Sequence, residues 1–154
     1  MYLSQQNFDF SIPTEIIYGI NSVKHKLPDT IRSLQKAKVF VATDPGLLNT
    51  GIIDATTSLL NKNGIDTVVF AEVEPNPHAQ TVMKGAQIYK QESCEMILAI
   101  GGGSPMDFAK AVSVIVAHEG HILDYRRGQK PLHQAIPLLI AIPTTVGTGS
   151  EVTP

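Results

Sequence analysis

The sequence is poor in cysteine and has no marked excess of charge of either sign. A single cysteine, Cys94, cannot form an intrachain disulfide and cannot supply a zinc site made of several cysteines. The 12 basic and 14 acidic residues leave a formal net charge of -2, and no basic arm is present. Proteins that bind nucleic acid usually carry a basic patch. We therefore expect no nucleic acid among the partners of this chain.

The chain also lacks a long hydrophobic run. Its longest apolar stretch, residues 136–142, is interrupted by Pro137 and is far shorter than the roughly 20 residues that a membrane-spanning helix needs. Residues 1–13 contain no continuous apolar core of the kind found in secretory signal peptides. The sequence therefore predicts a cytoplasmic protein that does not enter a membrane.

The sequence does contain enough apolar material for one packed domain. Hydrophobic residues make up 43% of the 154 residues and charged residues 17%, a balance typical of a globular domain or of half of a two-domain enzyme. Short apolar strands alternate with helical segments along most of the chain. The predicted strands are residues 38–43, 66–71, 96–100 and 138–142, and the predicted helices between them end near residues 61, 91 and 117.

The predicted strands are continuous apolar runs that do not alternate between apolar and polar side chains. Strands of this kind are buried on both faces, as in a parallel sheet covered by helices. Because strands and helices also alternate along the chain, we predict an α/β fold with an open, doubly wound, mostly parallel sheet, Rossmann-like in class.

Three segments fit this pattern less well. Residues 15–18 are compatible with an edge strand. Residues 23–34 have helical spacing of apolar side chains, but Pro28 is predicted to break that helix into two short pieces. Residues 118–134 are polar and are predicted to form a long excursion between strands.

Three of the predicted strands are followed by a small polar residue and a proline: Asp44-Pro45, Asn76-Pro77 and Ser104-Pro105. Each pair suits the cap and first position of a helix, which is the purely structural interpretation. In a parallel sheet all three pairs would also lie at the carboxyl ends of strands, on one edge. Open α/β sheets bind ligands at that edge, and helix N-termini there suit a phosphate.

The turn formed by Gly101, Gly102, Gly103 and Ser104 is the most informative of these sites. One glycine would satisfy a tight strand-to-helix turn, whereas three in a row favour a backbone that a pyrophosphate approaches closely. The third glycine of the dinucleotide fingerprint G-x-G-x-x-G is missing, and no P-loop motif is present. The ordinary Rossmann and NTPase motifs are therefore absent.

Longer motifs point to a particular family. Residues 101–110 read GGGSPMDFAK, and residues 143–151 read PTTVGTGSE. These segments resemble signature motifs of the iron-dependent (group III) alcohol dehydrogenases. Residue Asp44 within VATDPG, the Glu74-Pro75-Asn76-Pro77 turn and the opening at residues 10–19 match the same family in order and spacing. The resemblance covers essentially the whole chain.

The resemblance implies a two-domain enzyme in which residues 1–154 form the N-terminal dinucleotide-binding domain. The family's C-terminal helical domain holds a divalent metal, usually iron, through one aspartate and three histidines that follow the PTTVGTGSE segment. We expect those ligands to lie outside this chain, so that the isolated chain is inactive. The implied full-length enzyme is a homo-oligomer that transfers a hydride between a primary alcohol or aldehyde and NAD(H).

The resemblance also assigns cofactor contacts, and it assigns no catalytic or metal-binding residue. Asp44 is implied to contact the adenosine ribose, and since a carboxylate accepts from both ribose hydroxyls but repels a 2′-phosphate, it favours NAD over NADP. Asn76 is implied to lie on the nicotinamide side, and Asp107 faces the same cleft. The remaining implied contacts, to the pyrophosphate and other parts of the nucleotide, are Gly102, Gly103, Ser104, Thr144, Thr145 and Thr148.

Several alternatives stay open at this point. Lys110 is interpreted as the partner of Asp107 in a surface ion pair three residues apart. His118 and His121 have the spacing of a weak ligand pair, but we favour solvated loop histidines. The chain is also compatible with a stand-alone nucleotide-binding or regulatory module without catalysis, or with a relative of glycerol dehydrogenase and dehydroquinate synthase.

Overall fold

A computed structural model describes residues 14–126 and 129–153. Four helices and four strands alternate along this part of the chain. The helices are α1 (Ser22–Ser33), α2 (Ile52–Lys62), α3 (Ala79–Gln91) and α4 (Gly103–Ala117). The strands are β1 (Lys38–Ala42), β2 (Asp66–Phe70), β3 (Met96–Gly101) and β4 (Leu139–Pro143). Two short 3-10 helices span Pro45–Thr50 and Ile122–Tyr125.

The four strands form one parallel sheet in the order β2-β1-β3-β4. The connection from β1 runs outward to β2 on one side, and the connection from β3 runs outward to β4 on the other side. The chain therefore changes direction between β1 and β3, where open α/β sheets leave a crevice at the carboxyl ends of their strands. The predicted fold class is confirmed.

Apolar side chains fill both faces of the sheet. Phe40 and Ile97 belong to the core that α3 and α4 cover, whereas Val41 and Leu98 belong to the core beneath α1 and α2. On α3, Val82, Ala86 and Tyr89 form a buried stripe that packs on the sheet. The central strands β1 and β3 are almost wholly buried, but the edge strands β2 and β4 are partly exposed. The sheet is therefore doubly wound around its two central strands.

The prediction for the first part of the chain was wrong in two respects. Residues 15–18 form no strand, and α1 runs without a break through Pro28. Pro28 removes one backbone donor, but Leu27, Pro28 and Ile31 are all buried. Burial of that face against the sheet outweighs the single missing hydrogen bond, since helices in proteins are stabilised mainly by packing.

The prediction of three capping pairs was also largely wrong. Asp44 does precede the 3-10 helix with a proline at its start, but its side chain makes no capping hydrogen bond. Helix α3 begins after His78, two residues beyond Asn76, and α4 begins after Gly102. Ser104 and Pro105 therefore lie inside the first turn of α4, where proline is tolerated because its missing N–H would have no intrahelical partner.

Thr43 is a buried polar residue at the end of β1. Its side-chain hydroxyl has no hydrogen-bond partner among the described residues, although its backbone N–H donates to the Phe70 carbonyl over 2.9 Å. Replacing Thr43 with valine removes an unpaired hydroxyl and keeps the side-chain shape. We expect Thr43→Val to raise the free energy of unfolding by about 1 kcal/mol in urea denaturation. A destabilised variant would show that the hydroxyl does have a partner in the native protein.

The excursion at residues 118–134 is anchored by a histidine. His118 is buried, in contrast to the predicted solvated histidine. Its Nδ1 lies 3.0 Å from the Val114 carbonyl, and its Nε2 accepts the backbone N–H groups of His133 and Gln134 at 3.0 and 3.1 Å. This pattern requires the neutral ring with its proton on Nδ1. His118 therefore ties the end of α4 to the segment that leads into β4.

We expect His118→Phe to lower the free energy of unfolding by about 2 kcal/mol, because two backbone N–H groups lose their acceptor. The matched control is His121→Phe, since among the described residues the His121 ring accepts from Leu123 N alone, at 3.3 Å in an exposed 3-10 helix. That change should cost about 0.5 kcal/mol. Equal losses for the two variants in urea denaturation would contradict the anchoring role.

Candidate functional site

The candidate site lies at the carboxyl edge of the sheet. Asp44 follows β1, the glycine turn at residues 101–104 closes β3, and the loop at residues 144–150 follows β4. The backbone N–H of Thr144 donates to the Gly101 carbonyl over 2.8 Å, which continues the strand pairing into this edge. The turns after three adjacent strands therefore meet above the crevice between β1 and β3.

The Asp44 carboxylate lies between two glycines. A Cβ atom at Gly46 would lie 2.9 Å from Asp44 Oδ1, and one at Gly101 would lie 3.2 Å from Asp44 Oδ2. A side chain at either position would displace the carboxylate. Because the Asp44 side chain makes no capping hydrogen bond, helix capping does not compete with ligand binding at this carboxylate.

The glycine turn packs directly against the loop after β4. Cβ atoms at Gly102 and Gly103 would lie 3.0 Å from Thr145 Oγ1 and 3.2 Å from Ser150 Oγ. A Cβ at Gly103 would also lie 3.5 Å from the Cβ of Thr148. The structure thus brings the predicted glycines and the predicted threonines together, and bare backbone forms the surface between them.

The first turn of α4 is open at this surface. Gly102 precedes the helix, no side chain caps it, and the first turn carries no acidic residue. The free N–H groups and the positive end of the helix dipole therefore remain available to an anion. A phosphate group fits this environment better than a cation or an uncharged group does.

Asn76 reaches the same edge from the turn before α3. Its backbone has a φ of 54°, in the left-handed region, and its N–H donates to Ser104 Oγ over 3.4 Å. Asp107 lies further along α4 than its first turn and is exposed. The structure therefore places Asn76 beside the glycine turn, and it gives Asp107 no partner among the hydrogen bonds of the described residues.

Lys110 does not form the predicted ion pair with Asp107. Its Nζ instead donates to the carbonyl oxygen and to Oγ1 of Thr153, over 2.6 and 2.8 Å. Ser150, which is buried against Gly103, is a second residue of this loop that the prediction left out. Ser150 lies within the PTTVGTGSE segment and Thr153 lies just after it. Only the folded chain, however, brings Lys110 and Thr153 together.

No three histidine, cysteine or acidic side chains within residues 14–126 and 129–153 come together as a metal site. Cys94 is buried, and burial raises the pKa of its thiol to about 11, so it is not a thiolate at neutral pH. None of the helices described here has the length and apolar character that crossing a membrane requires.

Comparison with known proteins identifies the protein family of the chain. A family model described as iron-containing alcohol dehydrogenase matches residues 13–154. Choline dehydrogenase of Bacillus subtilis is 46% identical over 153 residues, which is 97% of this chain but 38% of that protein. The 1,3-propanediol dehydrogenase of Citrobacter freundii is 36% identical, covering 98% of this chain and 39% of that protein. The chain thus spans about two fifths of these relatives.

Solved structures agree with the sequence relatives. A 1,3-propanediol oxidoreductase superposes with a TM-score of 0.88 at 34% identity, over 96% of this chain and 38% of the other. The sulfoacetaldehyde reductase of Bifidobacterium kashiwanohense, in complex with NAD+, superposes with a TM-score of 0.88 at 30% identity, over 96% and 39%. In both cases the similarity is confined to part of a longer protein.

Proposed function

Because the chain belongs to the iron-containing alcohol dehydrogenase family, we propose that residues 1–154 form the dinucleotide-binding domain of an NAD-dependent alcohol dehydrogenase. The whole protein would transfer a hydride between a primary alcohol or aldehyde and NAD(H). The observation that carries the proposal is the meeting of the Asp44 carboxylate, the bare glycine turn and the threonine loop at one crevice of the sheet.

The described residues fit such a cofactor. Asp44 would hold the adenosine ribose, since its carboxylate is not engaged in helix capping and can accept from two hydroxyl groups. A 2′-phosphate would bring a second negative charge to the same place, which favours NAD over NADP.

The pyrophosphate would lie over the glycine turn. Gly102 precedes α4, and Gly103 and Ser104 are its first two residues, so their backbone N–H groups have no partner within the helix and point toward its open end. Hydroxyl groups from Thr144, Thr145 and Thr148 would complete the cradle from the other side. A Cβ at Gly102 or Gly103 would narrow the space beside this loop, which accounts for bare backbone at both positions.

Asn76 and Asp107 would face the nicotinamide end. When bound, the cofactor supplies hydride transfer at its nicotinamide ring, and the task of this chain is to orient that ring toward the substrate. One relative is an NAD-dependent methanol dehydrogenase from Bacillus methanolicus, which is consistent with the proposed cofactor. Iron would belong to the full-length protein, and no described residue is assigned to it.

The proposal also covers the cellular location, the oligomeric state and the partners of the protein. We propose a cytoplasmic homo-oligomer that binds neither nucleic acid nor membranes. Ile16, Tyr18 and Ile20 are strongly exposed apolar residues in the segment before α1. Exposed apolar surface of this kind favours association with another protein surface. The single cysteine suits a reducing compartment.

Isothermal titration of the chain with NAD, NADP and ADP-ribose tests the proposal. We expect NAD and ADP-ribose to bind and NADP to bind at least about tenfold more weakly, because like charges repel at Asp44. Failure of all three to bind would contradict a dinucleotide-binding domain. Binding of all three with equal affinity would contradict the role of Asp44 and favour a less selective nucleotide-binding module.

A further inference from the structure

Glu74 closes the turn that carries Asn76. Its Oε1 accepts the backbone N–H of His78 over 2.8 Å and the hydroxyl of Thr81 over 2.7 Å. One carboxylate oxygen therefore connects the residue before the turn to the start and the first turn of α3. Residues 75–77 form the turn between Glu74 and His78, and these hydrogen bonds hold the two ends of the turn together.

The turn at residues 75–77 contains an unusual backbone conformation. Asn76 has a φ of 54°, a conformation that asparagine tolerates better than most residues but that still carries a cost. Such a conformation persists when surrounding contacts hold it. Here the contacts are the Glu74 bonds on one side and the donation from Asn76 N to Ser104 Oγ on the other.

We propose that Glu74 is a positioning residue for the nicotinamide end of the cofactor, because it holds the turn that sets Asn76 against Ser104 and the glycine turn. This inference rests on the proposed function, in which Asn76 faces the nicotinamide. Glu74 itself would touch neither cofactor nor substrate. Its effect reaches the site through the backbone of residues 75–77.

The competing explanation is that Glu74 only stabilises α3, and the chain offers a matched control for it. Glu95 Oε2 accepts the N–H groups of Ala37 and Lys38 over 2.6 and 3.1 Å. These residues lie at the amino ends of the strands, opposite the candidate site. Backbone hydrogen bonds, from His78 and from Ala37, lower the pKa of Glu74 and of Glu95 respectively. Both carboxylates are therefore held by similar bonds, and only their location differs.

Titration of three variants with NAD and with ADP-ribose separates the two explanations. We expect Glu74→Ala to weaken NAD binding about tenfold and to change ADP-ribose binding less than about twofold, because ADP-ribose lacks the nicotinamide. Glu74→Gln keeps an acceptor oxygen at the same distance and should recover most of the NAD affinity. Glu95→Ala should leave both affinities unchanged.

Loss of NAD and ADP-ribose affinity in equal proportion, or no loss of either in Glu74→Ala, would overturn the proposal. A second measurement does not depend on ligand. In the free protein, the backbone amide resonances of Asn76 and Ser104 should shift in Glu74→Ala and stay in place in Glu95→Ala, and unshifted resonances would also overturn it. If the wild-type chain binds neither ligand, the proposed function fails, while these resonances still decide whether Glu74 holds the turn.

Discussion

Replacing Asp44 with alanine is expected to weaken NAD binding about 30-fold, which corresponds to about 2 kcal/mol for charged hydrogen bonds to the ribose. The protein should remain folded, since the Asp44 side chain caps no helix. Affinity should therefore fall while the urea midpoint stays within error. Calorimetric titration of wild type and variant, together with urea denaturation, measures both quantities.

The same variant should also lose the preference between cofactors. Without the carboxylate, a 2′-phosphate no longer meets a negative charge, so we expect NADP to bind Asp44→Ala at least as well as it binds the wild type. The control is Asp66→Ala, which removes an exposed carboxylate from the amino end of β2, at the far edge of the sheet. An equal change of affinity in both variants would show that net charge, and not the position of Asp44, determines cofactor preference.

Replacing Gly101 with alanine is expected to cause the largest loss of stability. The residue has a φ of 149°, and an added Cβ would lie 2.6 Å from Pro105 Cγ and 3.2 Å from Asp44 Oδ2. Backbone strain and overpacking act together here, so we expect the free energy of unfolding to fall by about 3 kcal/mol. The displaced Asp44 carboxylate should also weaken NAD binding in any protein that stays folded.

Gly64→Ala isolates the backbone contribution. Gly64 has a φ of 73°, and an added Cβ there would meet no atom within 4 Å. Only the left-handed conformation opposes alanine at this position, and we expect a loss of about 1 kcal/mol. Urea denaturation of both variants gives the difference. Equal losses would mean that Pro105 moves aside at no cost and that the contacts above Gly101 are not tight.

The strands were the part of the fold that could be predicted most reliably from the sequence. Residues 96–100 form a continuous apolar run, and the observed strand β3 is buried throughout. Such a run has one favourable placement, in the middle of a sheet covered on both faces. The helix around Pro28 and the buried state of His118 were predicted wrongly, because each depends on contacts with residues that are distant in sequence.

The motifs of the candidate site were visible in the sequence, but their arrangement was not. Asp44, the glycine turn at residues 101–104 and the threonine loop at residues 144–150 lie far apart along the chain. The sequence predicts that all three follow strands, and parallel strands bring their carboxyl ends to one edge. It does not predict that Asp44 lies above Gly101, or that Gly102 contacts Thr145.

The sequence by itself determined the parallel α/β fold, the family and the positions of the candidate cofactor contacts, because burial periodicity and short motifs are local properties of the chain. The tertiary structure decided the strand order, the crevice between β1 and β3, and the partners of Lys110, His118 and Glu74. These depend on which distant residues meet when the core packs. That is also why Glu74 emerged as a positioning residue only from the folded chain.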